Sequence, residues 1–209
     1  MPPASKSNGS PAPSPYPPSR PGSSKPATPS NGTSSTPSTY PILRKQLIDM
    51  QKHPVDGFSA GLVDDDNILE WGIVIMAPAD TLWEGAILKA RLIFPTEYPL
   101  LPPKMIFDSE MWHPNVYNSG EKKGEVCVSI LHAPGEDEWG YEHASERWLP
   151  VHTVESVLIS VISLLSADVP DLNSPANVDA AKEVREDYPA YKKRVKRLAR
   201  RSAEEAYDD

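Results

Sequence analysis

Between residues 58 and 108 the sequence repeats one device four times, and this limits the fold more than any other feature. Short apolar runs alternate with turn-rich connectors. Phe58–Val63 is the first and shortest. Glu70–Met76 (EWGIVIM) alternates and is rich in β-branched residues. Gly85–Phe94 (GAILKARLIF) sets Ala86, Leu88, Ala90, Leu92 and Phe94 against a more polar face with Lys89 and Arg91. Lys104–Asp108 (KMIFD) is the fourth. Such runs, joined by Asp64–Asn67 and Ala77–Thr81, predict an antiparallel meander. Between the third and fourth runs lies Phe94–Lys104, with four prolines in eleven residues. Proline offers no N–H to a ladder, so this segment predicts a stiff, ordered loop outside the sheet.

The rest of the pattern is helical. Residues 40–53 place Leu43, Leu47 and Met50 at i, i+4 and i+7, with Pro41 where a first-turn proline is tolerated and Pro54 and Gly57 as stops. Residues 153–166 carry a continuous stripe of Val154, Val157, Leu158, Val161, Ile162 and Leu165, with Thr153 as N-cap. Ser174-Pro175 reads as the N-cap and first residue of a short helix reaching about Asp187. A final helix, about Pro189–Ala206, puts Tyr191, Val195 and Leu198 on one face and a run of cations from Lys192 to Arg201 on the other. Strands first and helices after them define an α+β fold: a four-stranded antiparallel meander with an N-terminal helix and C-terminal helices.

Composition divides the chain in two. Residues 1–39 hold eleven Pro and eleven Ser and no Leu, Ile, Val or Phe. Such a segment cannot bury enough apolar surface to offset the entropy of ordering it, so 1–39 is predicted to be a disordered extension of a single folded domain at 40–209. The extension's charges are Lys6, Arg20 and Lys25; the other 170 residues set 18 basic side chains against 29 acidic ones, a net −11. An acidic domain is a poor partner for nucleic acid. No run of apolar residues is long enough to span a membrane, and the N-terminus has no apolar core of a signal peptide. Cytoplasm or nucleus is the expected location, and the one cysteine suits a reducing compartment.

That cysteine is Cys127, in the stretch Trp112–Leu131 (WHPNVYNSGEKKGEVCVSIL). Flanked by Val126, Val128, Ile130 and Leu131, it reads on its own as a small buried hydrophobe. His113-Pro114-Asn115 upstream changes that reading. A thiol carrying an acyl group needs a hydrogen-bond donor when an amine attacks and the carbonyl oxygen becomes negative, and the Asn115 amide is such a donor. A cysteine protease is the rival, with His113, His132 or His143 as base. Spacing neither shows nor excludes the thiol–imidazole pair it requires, but no protease signature surrounds Cys127. A zinc site lacks any usual ligand spacing. Downstream, His132–Glu146 carries Glu136, Asp137, Glu138, Glu142 and Glu146 with Trp139 and Tyr141 among them, a long acidic loop of the kind that is often functional.

Ile42–Ala206 resembles the ubiquitin-conjugating enzymes along its whole length. The marks are Phe94-Pro95 with Tyr98-Pro99 and Pro102-Pro103-Lys104, then His113-Pro114-Asn115. Gly124-Glu125-Val126-Cys127 with Ile130-Leu131 and Trp148-Leu149-Pro150 follow in order. The acidic insertion, with Ser174-Pro175-Ala176-Asn177-Val178-Asp179, resembles the G-type and R-type subgroup, and HAPGEDEWGYE and ERWLPVHTVES bring it closer to the G type. The resemblance implies that 40–209 is a catalytic domain. An activating enzyme charges ubiquitin with ATP and passes it to Cys127, and a lysine of a substrate or of another ubiquitin then attacks the thioester. Asn115 would support the oxyanion or the active-site loop, and Ser174 would stand at the site's mouth. His113 and Pro114 would be structural. Leu100, Leu149 and Pro150 would dock RING-type ligases, together with Arg44 and Lys45 of the first helix. Glu136, Asp137, Glu138 and Glu142 would meet an acceptor ubiquitin. The resemblance implies no strong general base, no metal, no stably bound cofactor and a monomer. The alternative is a noncatalytic ubiquitin-binding or ligase-docking adaptor on the same fold, although an adaptor has no need of a thiol.

One departure stands out. The family places its thiol ten residues after the histidine of His-Pro-Asn, and here the interval from His113 to Cys127 is fourteen. The extra residues fall within Tyr117–Lys123. An outward bulge would leave Asn115 beside the thiol, and this is expected; a loop folded over the sulfur would slow discharge.

Overall fold

The computed structural model describes residues 39–135 and 142–207. The order is helix α1 (Thr39–Lys52), strands β1 (Phe58–Leu62), β2 (Glu70–Met76), β3 (Ile87–Ile93) and β4 (Lys104–Phe107), then helices α2 (Val154–Ser166), α3 (Val178–Glu186) and α4 (Tyr188–Tyr207). The strands pair antiparallel in sequence order. The predicted α+β meander is therefore the fold. Most of the proposed extension lies outside the described residues. Thr39, assigned to it, belongs instead to α1: its side chain is buried, and its hydroxyl meets the carbonyls of Thr96 and Tyr98 at 2.6 Å each.

Alternation sets the buried face of the sheet. Trp71, Ile73 and Ile75 of β2 stand opposite Leu92, Ala90 and Leu88 of β3, and all six are buried. The stripe of α2 joins the same core through Val154, Val157, Leu158, Val161 and Leu165. Each such aliphatic side chain contributes about 1.5–3 kcal/mol when fully buried. Thr153 caps α2 as expected. Its hydroxyl accepts the Ser156 N–H at 3.2 Å, and Ser156 Oγ accepts the Thr153 N–H at 2.9 Å.

The proline-rich loop is held by aromatic packing rather than by a ladder. Trp71, Phe94, Tyr98 and Trp148 form a chain of ring contacts with centroids 5.0–5.7 Å apart. Trp148 Nε1–H donates to the Pro99 carbonyl at 2.7 Å, which seats the 148–150 segment against the loop. Leu100, Leu149 and Pro150 are left exposed nearby, as are Arg44 and Lys45 on α1.

The start of α3 departs from expectation. Asn177, not Ser174, is its cap: Asn177 Oδ1 accepts the Ala180 N–H at 3.0 Å. A short polar side chain stands before the helix at either position, so local propensity does not choose between them. A tertiary bond does, because the buried Asn177 donates its N–H to the Pro114 carbonyl at 2.9 Å. From α3, Glu183 accepts the Trp112 indole N–H. From α4, Arg194 stacks on that indole at 3.3 Å, and Arg201 bonds Glu110 at 2.6 Å. The two helices thus clamp the segment leading into His-Pro-Asn. No helix among the described residues is long and apolar enough to cross a membrane.

Candidate active site

Cys127 lies on a strand-like segment between β4 and His-Pro-Asn. On one side Val126 N–H donates to Met105 O at 2.9 Å, and Phe107 N–H donates to Gly124 O at 2.9 Å. On the other, Val116 bridges Val126 antiparallel, and the Cys127 N–H donates to Asn115 O at 2.9 Å. The enlarged turn leaves from this ladder and returns to it: Tyr117 N–H donates to Glu125 O at 3.0 Å, and Gly124 N–H donates to Tyr117 O at 2.8 Å. Its extra residues close as a single 3-10 turn, Gly120–Lys122. Residues 120–123 of the insertion are exposed, Tyr117 and Lys122 line a small cavity with Cys127, and Asn115 stays beside Cys127.

Gly124 makes the return possible. Its φ is +85°, and a Cβ there would lie 2.4 Å from the Phe107 carbonyl oxygen. The left-handed backbone alone costs a non-glycine residue about 1–3 kcal/mol, and the overlap adds to it. Gly124→Ala is expected to lower the unfolding free energy in urea by at least that amount; an unchanged unfolding free energy would show that β4 yields without cost.

His113 is buried and holds Asn115. The Asn115 N–H donates to His113 Nδ1 at 3.0 Å, and the histidine bonds the Leu164 backbone. Burial, only partly opposed by that bond, pushes the imidazole down to about 4. His113 is thus neutral and remote from proton transfer. Pro114 is buried beside it, its carbonyl spent on Asn177. Asn115 lines the cavity at Cys127, and its side-chain Oδ1 is buried without a partner.

This cavity holds about 180 Å³ and is lined by Cys127, Asn115, Ser174, Asp171, His132 and Glu142, among others. Cys127 is half-buried, not a core residue, while Val126 beside it is buried. Ser174 is exposed at the cavity wall. Of the predicted site residues, the fold brings Cys127, Asn115, Ser174 and Glu142 together. Leu100, Leu149 and Pro150 lie away from this cavity, beside Trp148. Glu136, Asp137 and Glu138 lie outside the described residues.

The sequence names His132 only as one of three candidate bases for the rival cysteine protease. It follows a short 3-10 turn, Ser129–Leu131, and its N–H donates to Ser129 O at 2.9 Å. Its Nε2 lies 3.3 Å from Cys127 Sγ. Its Nδ1 lies 2.8 and 2.9 Å from the two Glu142 carboxylate oxygens. Glu142 is turned inward, accepting from Ser129 Oγ at 3.0 Å, with Arg147 Nε at 3.8 Å. The bond to Cys127 raises His132, burial opposes it, and Glu142 adds to the rise; the imidazole is held up to about 9. Tyr117, from the enlarged turn, also reaches the sulfur; burial first, then Cys127 and Glu125, push its hydroxyl up. His143 is exposed, its N–H donating to Glu146. A nucleophilic thiol, an amide that can meet an oxyanion and an imidazole that can carry a proton at the sulfur are the parts of an acyl-transfer site.

Comparison with known proteins agrees with this chemistry. Residues 42–199 match the family described as ubiquitin-conjugating enzyme. Ubiquitin-conjugating enzyme E2 15 of Schizosaccharomyces pombe is 60% identical over 163 residues, covering 78% of this chain and 94% of the relative. The probable ubiquitin-conjugating enzyme E2 7 of Caenorhabditis elegans is 58% identical over 164 residues, covering 78% of this chain and 96% of the relative. The solved structure of human ubiquitin-conjugating enzyme E2 G1 aligns with a TM-score of 0.53 and 52% identity over 62% of this chain and 95% of that one. A catalytic fold with one thiol in a shallow cleft, and this degree of likeness, leave one assignment: the chain belongs to the ubiquitin-conjugating enzyme family, with the G-type subgroup among its relatives.

Proposed function

We propose that Cys127 accepts ubiquitin from an activating enzyme as a thioester and passes it to lysine amines. The observation that carries this reading is the bond from the Cys127 N–H to Asn115 O at 2.9 Å. It holds thiol and amide side by side despite the enlarged turn. The carbonyl oxygen that turns negative during aminolysis then forms next to a polarised donor. Ser174 stands at the mouth of the cleft, where an incoming lysine enters. No strong metal or cofactor chemistry is called on; ATP is consumed in the separate activating step.

The exposed Leu100, Leu149 and Pro150 form a small apolar patch that suits a RING-type ligase, and Arg44 and Lys45 extend it with positive charge. Glu136, Asp137 and Glu138 supply an acidic contact for an acceptor ubiquitin, so the product is polyubiquitin built for degradation. The enzyme works as a monomer in the cytoplasm or nucleus.

Incubation with activating enzyme, ATP and ubiquitin is the test. Wild type is expected to give a ubiquitin adduct that reducing agent removes, and Cys127→Ala none. A wild type that stays uncharged would return the chain to the noncatalytic adaptor reading.

A further inference from the structure

The three groups Cys127, His132 and Glu142 are joined in a line that the thioester chemistry described so far does not use. His132 Nε2 faces the sulfur at 3.3 Å, and its Nδ1 faces both oxygens of Glu142 within 2.9 Å. A carboxylate at Nδ1 takes the Nδ1 proton as its hydrogen bond. It thereby turns the Nε2 lone pair of the neutral ring toward the sulfur. Glu142 is itself fixed, by Ser129 Oγ and Arg147. Its side chain is 19% exposed and that of His132 31%, so both reach the cleft without being sealed from an incoming group.

We propose that His132, oriented by Glu142, is the proton relay for both half-reactions at Cys127. The proposal rests on the thioester reading above and names the base which that reading leaves out. In charging, Cys127 Sγ attacks the carbonyl carbon of the incoming thioester. A new C–S bond forms, and the bond to the donor sulfur breaks. The proton already held on His132 Nε2 goes to the departing thiolate, which leaves the imidazole neutral. In discharge, an unprotonated lysine amine attacks the same carbon. The C–N bond forms, the C–S bond breaks, and one amine proton goes to Nε2. Thiolate and imidazolium are left facing each other, ready for the next cycle.

The cycle has an internal logic. The sulfur is the largest influence raising His132 in the free enzyme. Acylation turns that sulfur into a neutral thioester and removes this influence, while Glu142 remains. The imidazole therefore loses its proton more readily once ubiquitin is attached, which is when a base is needed. Other groups around it act more weakly or from further off. Arg147 sits behind Glu142, Asp171 lines the same cleft, and Tyr117, Glu125, Lys104 and Lys122 line a second small cavity together with Cys127 and His132. Among the described residues, only Cys127 and Glu142 reach the ring nitrogens.

Single-turnover discharge of the preformed thioester decides the matter. It is followed from mildly acidic to mildly alkaline pH, with free lysine and with hydroxylamine as acceptors. The wild-type rate is expected to fall on the acid side as Nε2 becomes protonated, also when it is expressed per unprotonated acceptor, for lysine and for hydroxylamine alike. H132Q is expected to lose about 10²-fold in rate, the lower range for general-base catalysis, and to lose the acid limb. E142Q is expected to keep the limb but move it to lower pH, since the carboxylate no longer favours the imidazolium. Should H132Q fold poorly, the shift in E142Q carries the test. A wild type that forms no thioester overturns both readings. A wild type that charges, with H132Q discharging at the same rate and with the same pH profile, overturns the relay alone.

Discussion

Asn115→Ala is expected to leave charging of Cys127 intact and to slow discharge of the thioester by about 10²–10³-fold, the usual effect of removing one oxyanion donor. The structure says why the loss should be chemical rather than structural. Both backbone bonds of Asn115 survive the substitution: its N–H to His113 Nδ1 and its carbonyl to the Cys127 N–H. Its side-chain oxygen has no partner to lose. A buried acceptor without a partner has no hydrogen bond to forfeit on truncation, so Tm is expected to move little. Asn115→Asp separates the two roles an amide could have. If the side chain meets the developing oxyanion, a carboxylate there repels it, and Asp is worse than Ala. If it only orients or deprotonates the incoming lysine, Asp restores activity. Single-turnover rates for the three proteins, beside their melting curves, give the answer. Asp faster than Ala would end the oxyanion role, and a large fall in Tm for Ala would mean that the loop, not the chemistry, had been damaged.

This distinction was partly visible in the chain itself. Thiol, amide and helix stripe all announce themselves locally. Val154, Val157, Leu158, Val161 and Leu165 recur at helical spacing, and the fold buries all five. Trp71, Ile73 and Ile75 recur at strand spacing and face inward. What stayed hidden depends on distance along the chain. Cys127 in an apolar run reads as core, but the ladder points Val126 inward and turns its neighbour to the cleft. Two polar residues could cap α3, and only the long-range bond from Asn177 to Pro114 selects one. The interval from His113 to Cys127 could have gone either way. The close packing of Gly124 on Phe107 and the bridge from Val116 to Val126 send the surplus outward. His132 is five residues beyond Cys127 and Glu142 ten beyond His132, spacings that match neither helix nor strand. A 3-10 turn and the inward fold of Glu142 bring them together, and no local period reports that.

Acid should loosen this enzyme at one identifiable histidine. His113 is almost fully buried, and its folded-state value of about 4 lies below the ordinary 6.5 of an exposed imidazole. Between these values the unfolded chain binds a proton that the folded protein refuses. Stability from His113 is therefore complete above pH 6.5 and is lost as pH falls toward 4. Each unit of such a difference is worth 1.36 kcal/mol, so the full loss is about 3 kcal/mol, a large share of a typical domain's stability. His132 runs the opposite way. Its raised value of about 9 gives stability present below pH 6.5 and lost as pH climbs through 9, but it is partly exposed and water weakens the effect. The two histidines together predict greatest stability near neutral pH. His113→Gln isolates the acid limb. The variant should be less stable than wild type at pH 7.5, because the fit to Asn115 and Leu164 is imperfect. As the pH falls toward 4 the gap should close, since the variant has no proton to take up at this position. Urea unfolding of both proteins across that range measures the gap directly, with ordinary carboxylate titration common to both and cancelling in the difference. Parallel curves would mean that His113 keeps its proton affinity on folding, and that the polypeptide around His-Pro-Asn opens to water well before the domain unfolds.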